Sequence, residues 1–114
     1  MLFRSRGTFS GSSPLPVELF NRYQKTTGVQ VIEGYGLTEA TCLVSANPPD
    51  GIKKSGSVGL PFPHTKVRIV DFSASAARDC GVDEVGEICV SNPGVIAGGT
   101  YLDPARNEIG RAHV

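Results

Sequence analysis

Seven consecutive residues, Glu33-Gly34-Tyr35-Gly36-Leu37-Thr38-Glu39, combine side chains that suit one kind of chemistry. Two glycines around an aromatic let the backbone approach a flat ring, and Tyr35 offers a stacking face. Thr38 can offer a hydroxyl donor to a phosphate near a helix N-terminus. Glu39 carries a hard carboxylate oxygen, the ligand type that Mg²⁺ prefers, and Mg²⁺ usually bridges a carboxylate to substrate phosphates. A purine ring, a phosphate and a magnesium ion in that order describe a nucleotide site. On spacing alone the plainer reading is the better one: a glycine turn, a packed tyrosine and a solvated glutamate at a helix start. Short glycine motifs are common.

The segments around this run must position it. Residues 7–11 read as a short strand ending at a glycine. Ser12-Ser13-Pro14-Leu15-Pro16 turns into a helix, where the missing N–H of Pro16 costs nothing. Val17, Phe20, Tyr23 and Gln24 recur at helical spacing with Leu19 beside them, which predicts an amphipathic helix over 16–27 closed by Gly28. Val29 to Glu33 is a strand of mainly β-branched residues. Strand, helix and strand on short links make an α/β unit with a parallel sheet. Ligands of such sheets sit beyond the C-terminal ends of the strands, which is where Glu33 to Glu39 falls. Gly34-Tyr35-Gly36 should break the strand, and Thr38 to Val44 should open a short helix. Asn47 to Gly51 is a proline loop, and Lys53 to Gly59 is irregular. Thr65 to Asp71 alternates as a strand with one solvated face, and Glu87 to Val90 is another. Residues 74–78 and 91–104 read as loops. The second half is therefore β-rich.

Composition excludes several classes. The 114 residues are 39% hydrophobic, an ordinary share for a protein with a buried core. Eleven basic against eleven acidic residues leave no net charge, which argues against nucleic acid as a partner. No apolar run reaches the length of a membrane span. Three cysteines, Cys42, Cys80 and Cys89, form no CxxC pair and cannot all pair with one another. Reduced thiols and a cytoplasmic setting are expected.

Five blocks together resemble one family. Tyr35-Gly36-Leu37-Thr38-Glu39-Ala40-Thr41 resembles the YGxTE motif of the adenylate-forming superfamily of acyl-CoA synthetases, luciferases and peptide-synthetase adenylation domains. Ser10-Gly11-Ser12-Ser13-Pro14-Leu15-Pro16 is similar to its SGAAPL segment. Gly56-Ser57-Val58-Gly59-Leu60-Pro61 is similar to GSVGxP, and Val85-Gly86-Glu87-Ile88 to VGEI. Gly99-Thr100-Tyr101-Leu102 is similar to GYL with Thr100 inserted. The blocks stand in the family's order and span most of the chain.

The resemblance implies an α/β fold: a fragment of the large N-terminal domain of an acyl-CoA synthetase-like fold, an α/β unit followed by a β-rich segment. It also implies roles. Gly11, Ser12 and Ser13 would border the adenine pocket, with serines in place of the commoner alanines. Glu33 and Gly34 would flank the adenine and the acyl group, and Tyr35 would stack on adenine. Gly11 and Gly36 would keep the acyl tunnel and nucleotide pocket open. Thr38 would contact the α-phosphate, and Glu39 would bind Mg²⁺. The implied reaction is ATP-dependent: a carboxylic acid, most like a fatty acid, becomes an acyl-adenylate and passes to coenzyme A. Its partners are the small-molecule acid and coenzyme A, and ATP/AMP and Mg²⁺ are implied with them. Two alternatives stay open: an adenylation domain loading an amino or aryl acid onto a carrier protein, and a non-catalytic nucleotide-binding module.

Other family parts are not seen: the Ser/Thr/Gly-rich phosphate loop, the ribose-binding aspartate, the arginine after it and the catalytic lysine. Lys53, Lys54 and Lys66 have the wrong context for that lysine. The fragment by itself is expected to be inactive. His64 reads as a surface residue and Cys42 as a small buried side chain. Asp71, Asp83, Glu84, Glu87 and Asp103 read as turn and strand-edge charges.

The two ends carry a different signal. Leu2-Phe3-Arg4-Ser5 can be encoded by CTC TTC CGA TCT, whose reverse complement is AGATCGGAAGAG. Glu108-Ile109-Gly110-Arg111-Ala112 can be encoded by GAG ATC GGA AGA GCA, which holds the same string, and codons for His113 and Val114 can continue it. The ends therefore look like a sequencing adapter read as protein. On this expectation residues 1–5 and 108–114 are adapter-derived, and 6–107 is a partial AMP-binding domain. The coding DNA should show those codons at both ends; other codons at either end would overturn the expectation.

Overall fold

The computed structural model describes residues 5–73, 76–96 and 101–105. Two compact units share the chain. One comprises Met1–Leu37 with Leu43–Phe62, and the other comprises Thr38–Cys42 with Pro63–Val114.

The first unit is a four-stranded sheet in the order β1-β2-β3-β4 with one helix. β1 (Gly7–Ser10) and β2 (Gln30–Leu37) run parallel, with Gly7 opposite Gln30 and Ser10 opposite Glu33. Between them α1 covers Val17–Thr27. Its N-cap is Pro16, and the Phe20 N–H closes the first turn on the Pro16 carbonyl at 3.0 Å. Glu18 in the first turn and Lys25 in the last complement the helix dipole. Gly28 ends the helix in the left-handed region (φ +67°), donating to the Gln24 carbonyl at 2.9 Å. Phe20 is the buried residue of the helix, while Val17 and Leu19 stay exposed, so the apolar face is narrower than the spacing predicted. Gln24 accepts from the Val31 N–H at 2.9 Å, and the Tyr23 hydroxyl pairs with Thr8 Oγ1 at 2.8 Å. These two contacts fasten the helix to both parallel strands.

Two sequence expectations fail in this stretch. Gly34-Tyr35-Gly36 does not break the strand, and β2 runs on to Leu37. Neither glycine adopts a positive φ. Gly34 instead allows close packing: a Cβ there would lie 2.4 Å from the Phe9 ring and 2.8 Å from the Ser45 carbonyl oxygen. The helix expected over Thr38 to Val44 is also absent. One 3₁₀ turn spans Thr38–Ala40, and then β3 runs over Cys42–Ala46. Thr41 (φ +54°) and Cys42 (φ +84°) are both left-handed, which ends the turn and redirects the chain. The following Leu-Val pair then favours a strand.

β3 pairs antiparallel with the short β4 (Leu60–Pro61). The loop between them returns through Gly59 at φ +80°. A Cβ on Gly59 would meet the Ala46 carbonyl carbon at 2.0 Å and the Asn47 nitrogen at 2.2 Å. Val31 and Val44 are the buried apolar residues of the central strands.

The second unit holds a three-stranded antiparallel sheet ordered β6-β5-β7. β5 (Lys66–Asp71) pairs with β7 (Glu87–Ser91) from Lys66↔Ser91 to Val70↔Glu87, and buries Val70. β6 (Arg78–Asp79) lies where the sequence suggested loop. The Cys80 N–H donates to the Ile69 carbonyl at 2.8 Å, and Arg68–Asp79 and Arg78–Asp71 ion pairs bracket the short pairing. Long-range pairing of this sort leaves no mark in local propensity. Residues 74 and 75 of the expected loop lie outside the described residues. The α/β unit followed by a β-rich segment is the fold class that the sequence implied.

Two glycines separate local strain from steric exclusion. Gly28 needs its left-handed φ but has open space around the Cβ position. In a protein folded around this stretch, Gly28→Ala should cost about 1 kcal/mol. Gly59→Ala should cost upward of about 3 kcal/mol, because strain and backbone overlap add there. Urea unfolding midpoints check this, and equal costs would contradict the packing described.

Candidate functional site

In the first unit, the parallel pairing brings the Gly11 and Gly34 blocks together. Ser10, the last residue of β1, sits opposite Glu33. The chain then leaves the sheet at Gly11, where a Cβ would stand 3.3 Å from both the Gly34 carbonyl oxygen and the Phe9 ring. Ser12 follows in the left-handed region (φ +69°), and Ser12 and Ser13 are exposed. A strained residue just past the C-terminal end of a parallel strand is common at ligand-facing turns. By strand alternation Glu33 and Tyr35 share one face of β2, and Gly34 and Gly36 share the other. Tyr35 is half-buried and Gly36 exposed.

Glu33 is buried, which is unusual for a carboxylate. Its Oε2 accepts from the Gly56 N–H at 3.1 Å. Its main-chain carbonyl accepts from the Asn47 N–H at 2.9 Å and from Asn47 Nδ2 at 3.3 Å. Asn47 is itself buried. Sequence reasoning passed over it because Asn-Pro-Pro reads as a turn signal.

In the second unit, Thr38 and Glu39 occupy the 3₁₀ turn. A turn of three residues supplies no helix dipole, so the helix-terminus role expected for Thr38 reduces to its exposed hydroxyl. The segment 92–96 and Tyr101 hold this turn. The Ile96 N–H donates to the Glu39 carbonyl at 3.1 Å, and Thr41 Oγ1 donates to the Gly94 carbonyl. A Cβ on Gly94 would come 2.9 Å from the Ala40 carbonyl oxygen. The Tyr101 hydroxyl donates to Glu39 Oε1. That bond, with a weaker main-chain contribution, lowers the Glu39 pKa below its ordinary value and favours the ionised form. Tyr101 belongs to the GYL-like block, so the block's spacing was visible but its partner was not. Gly99 and Thr100 lie outside the described residues.

The remaining candidates fall away from this chemistry. Cys42 is exposed rather than buried, and its backbone is left-handed. His64 is exposed in a left-handed turn. Glu84 accepts from the Gly81 N–H and pairs with Arg78 at 2.8 Å, which together lower its pKa. Asp71 accepts from the N–H and hydroxyl of Ser73 and is lowered in the same way. These are turn and hairpin charges. Among the described residues no group of three or more His, Cys, Asp or Glu could hold a metal ion. Among them, too, no helix is long and apolar enough to cross a membrane.

A family model described as AMP-binding enzyme matches residues 3–99, and the chain belongs to that family. The long-chain-fatty-acid–CoA ligase of Salmonella typhimurium is 40% identical over 99 residues, covering 87% of this chain and 17% of the relative. The corresponding ligase of Bacillus subtilis is 40% identical over 93 residues, covering 82% of this chain and 16% of its own length. The crystal structure of ATP-bound MatB from Rhodopseudomonas palustris superposes with a TM-score of 0.76 at 30% identity, covering 90% of this chain and 20% of that one. The chain thus spans about a sixth of the length of the curated relatives it matches.

The Tyr101–Glu39 bond has a measurable signature. A carboxylate with a lowered pKa contributes stability above its unfolded value, and that contribution is lost as pH falls through the lowered one. Tyr101→Phe should move the Glu39 titration up toward its ordinary 4.5. Carboxyl-carbon NMR reads this directly, and an unmoved titration would remove Tyr101 from the pairing.

Proposed function

We propose that this chain is part of the adenylating domain of an ATP-dependent acid–CoA ligase acting on a carboxylic acid, most like a fatty acid, in the cytoplasm. The observation that carries the proposal is the family match running through both units, with CoA ligases as its relatives. The names of those relatives favour coenzyme A over a carrier protein as acceptor.

Two steps follow from that reading. An oxygen of the acid's carboxylate attacks the α-phosphorus of ATP, the bond to the β-phosphate oxygen breaks, and pyrophosphate leaves. The coenzyme A sulfur then attacks the acyl carbonyl carbon of the acyl-adenylate, and AMP leaves. The first step needs positioning and charge neutralisation at phosphoryl oxygens more than proton transfer. In this proposal Tyr35 stacks on adenine, Glu33 and Gly34 flank the adenine and the acyl group, Gly11 and Gly36 keep the acyl tunnel and nucleotide pocket open, and Gly11, Ser12 and Ser13 border the adenine pocket. The Thr38 hydroxyl donates to an α-phosphate oxygen. Glu39 fits Mg²⁺ because it is a hard oxygen donor held in its ionised form by Tyr101. A single carboxylate also suits an ion that takes its other ligands from phosphates and water. Bound there, Mg²⁺ would neutralise phosphoryl charge.

The test grafts residues 6–107 into the Salmonella typhimurium ligase in place of its matching stretch. The graft should form fatty acyl-CoA, and the free chain should not. Glu39→Ala in the graft should lower ATP–pyrophosphate exchange by about 100-fold or more with an unchanged melting temperature. A folded graft without exchange would overturn the proposal. Unchanged exchange in the variant would remove Glu39 from its role.

A further inference from the structure

Asn47 lies outside the five family-like blocks, yet it is one of the most buried polar residues described, at 4% exposure. Each polar group of its side chain is used. Nδ2 donates to the Glu33 carbonyl at 3.3 Å and to the Ser57 carbonyl at 2.5 Å, and Oδ1 accepts from the Lys54 N–H at 3.1 Å. Its own N–H donates again to the Glu33 carbonyl at 2.9 Å. One residue thus binds the two ends of the irregular 54–57 segment and the middle of β2. The segment returns the contact through Gly56, whose N–H meets the Glu33 carboxylate. Gly59, which admits no side chain against Ala46 and Asn47, closes the loop behind it.

Glu33 is the last β2 residue paired to β1. Past it, Gly34, Tyr35 and Gly36 have no β1 partner in the ladder. Beyond it β2 keeps β3 as its one strand neighbour among the described residues, so the Glu33 peptide, which Asn47 holds just past the end of β3, sets where that one-sided stretch starts. We infer that Asn47 is a positioning residue for nucleotide binding: it touches no ligand, but by clamping the Glu33 peptide against the 54–57 segment it sets the angle at which Tyr35 presents its ring. This rests on the assignment of Tyr35 to the adenine ring proposed above.

Asn47→Asp is the sharpest test, because it keeps the shape and replaces a donor with an acceptor facing two carbonyls. In the grafted ligase the KM for ATP should rise by about tenfold or more, the loss expected when a buried, satisfied hydrogen-bonding group is inverted. The KM for the fatty acid should rise several-fold less than that for ATP, because the Tyr35 ring bears on the adenine and not on the acid. A purely structural role would lower the melting temperature without this split. Asn47→Ala, which removes the side-chain bonds without adding charge, should give a smaller rise in the same KM and decides the matter if Asn47→Asp does not fold. An ATP KM unchanged in a folded variant, with the unsubstituted graft active, would overturn the inference alone. A folded but inactive unsubstituted graft would overturn it together with the functional reading beneath it.

Discussion

The first unit depends on how one peptide, that of Glu33, is held. Burying a carbonyl and a carboxylate is costly unless both are hydrogen-bonded. Here the carbonyl takes two donors from Asn47, and the carboxylate takes the Gly56 N–H. On one side the peptide meets β1 through the Ser10 register. On the other it anchors a loop with no regular structure of its own. A long irregular loop normally runs over the surface because its polar groups need partners. This one finds its partners in Asn47, the Glu33 carboxylate and its own Ser57 hydroxyl, so it can lie against the sheet. Close packing at Gly34 then brings the Phe9 ring and the Ser45 carbonyl to a distance that no side chain would permit.

The second unit solves a similar problem with other means. A three-residue 3₁₀ turn is too short to hold its shape by internal hydrogen bonds. The turn carrying Thr38 and Glu39 is instead held from outside, by Ile96 on its backbone, by Gly94 through the hydroxyl of the adjoining Thr41 and by Tyr101 on the carboxylate. The hairpin charges Arg78 and Glu84 are exposed and Asp71 is half-buried, and their ion pairs contribute little to stability. Val70 and the β5–β7 ladder carry the packing.

Much of this was legible in the residues. The helix ending at Gly28, the strand before Glu33 and the strands ending near Asp71 and Val90 follow from periodicity and punctuation, which act over a few residues. The family was legible from five blocks in order. The glycines misled: beside an aromatic they read as a turn, whereas Gly34 serves contact between strands and leaves β2 unbroken. Thr38 to Val44 misled in the same way, because two consecutive left-handed residues have no reliable signature in threonine and cysteine. β6 was missed because two residues pair only when the neighbouring strand is already in place.

By itself, then, the sequence determined the β1–α1–β2 start, the strands β5 and β7 and the membership of the Tyr35–Glu39 run in an AMP-binding family. Those properties depend on local periodicity, turn chemistry and short blocks of residue types. Only the tertiary structure decided that Glu33 is buried and clamped by Asn47, that Tyr101 bonds Glu39, and that Gly59 admits no side chain. Each joins residues distant in sequence, from 13 positions for Gly59 over Ala46 to 62 for Tyr101 on Glu39. Such contacts are chosen by the packing of the folded chain, which no local pattern encodes.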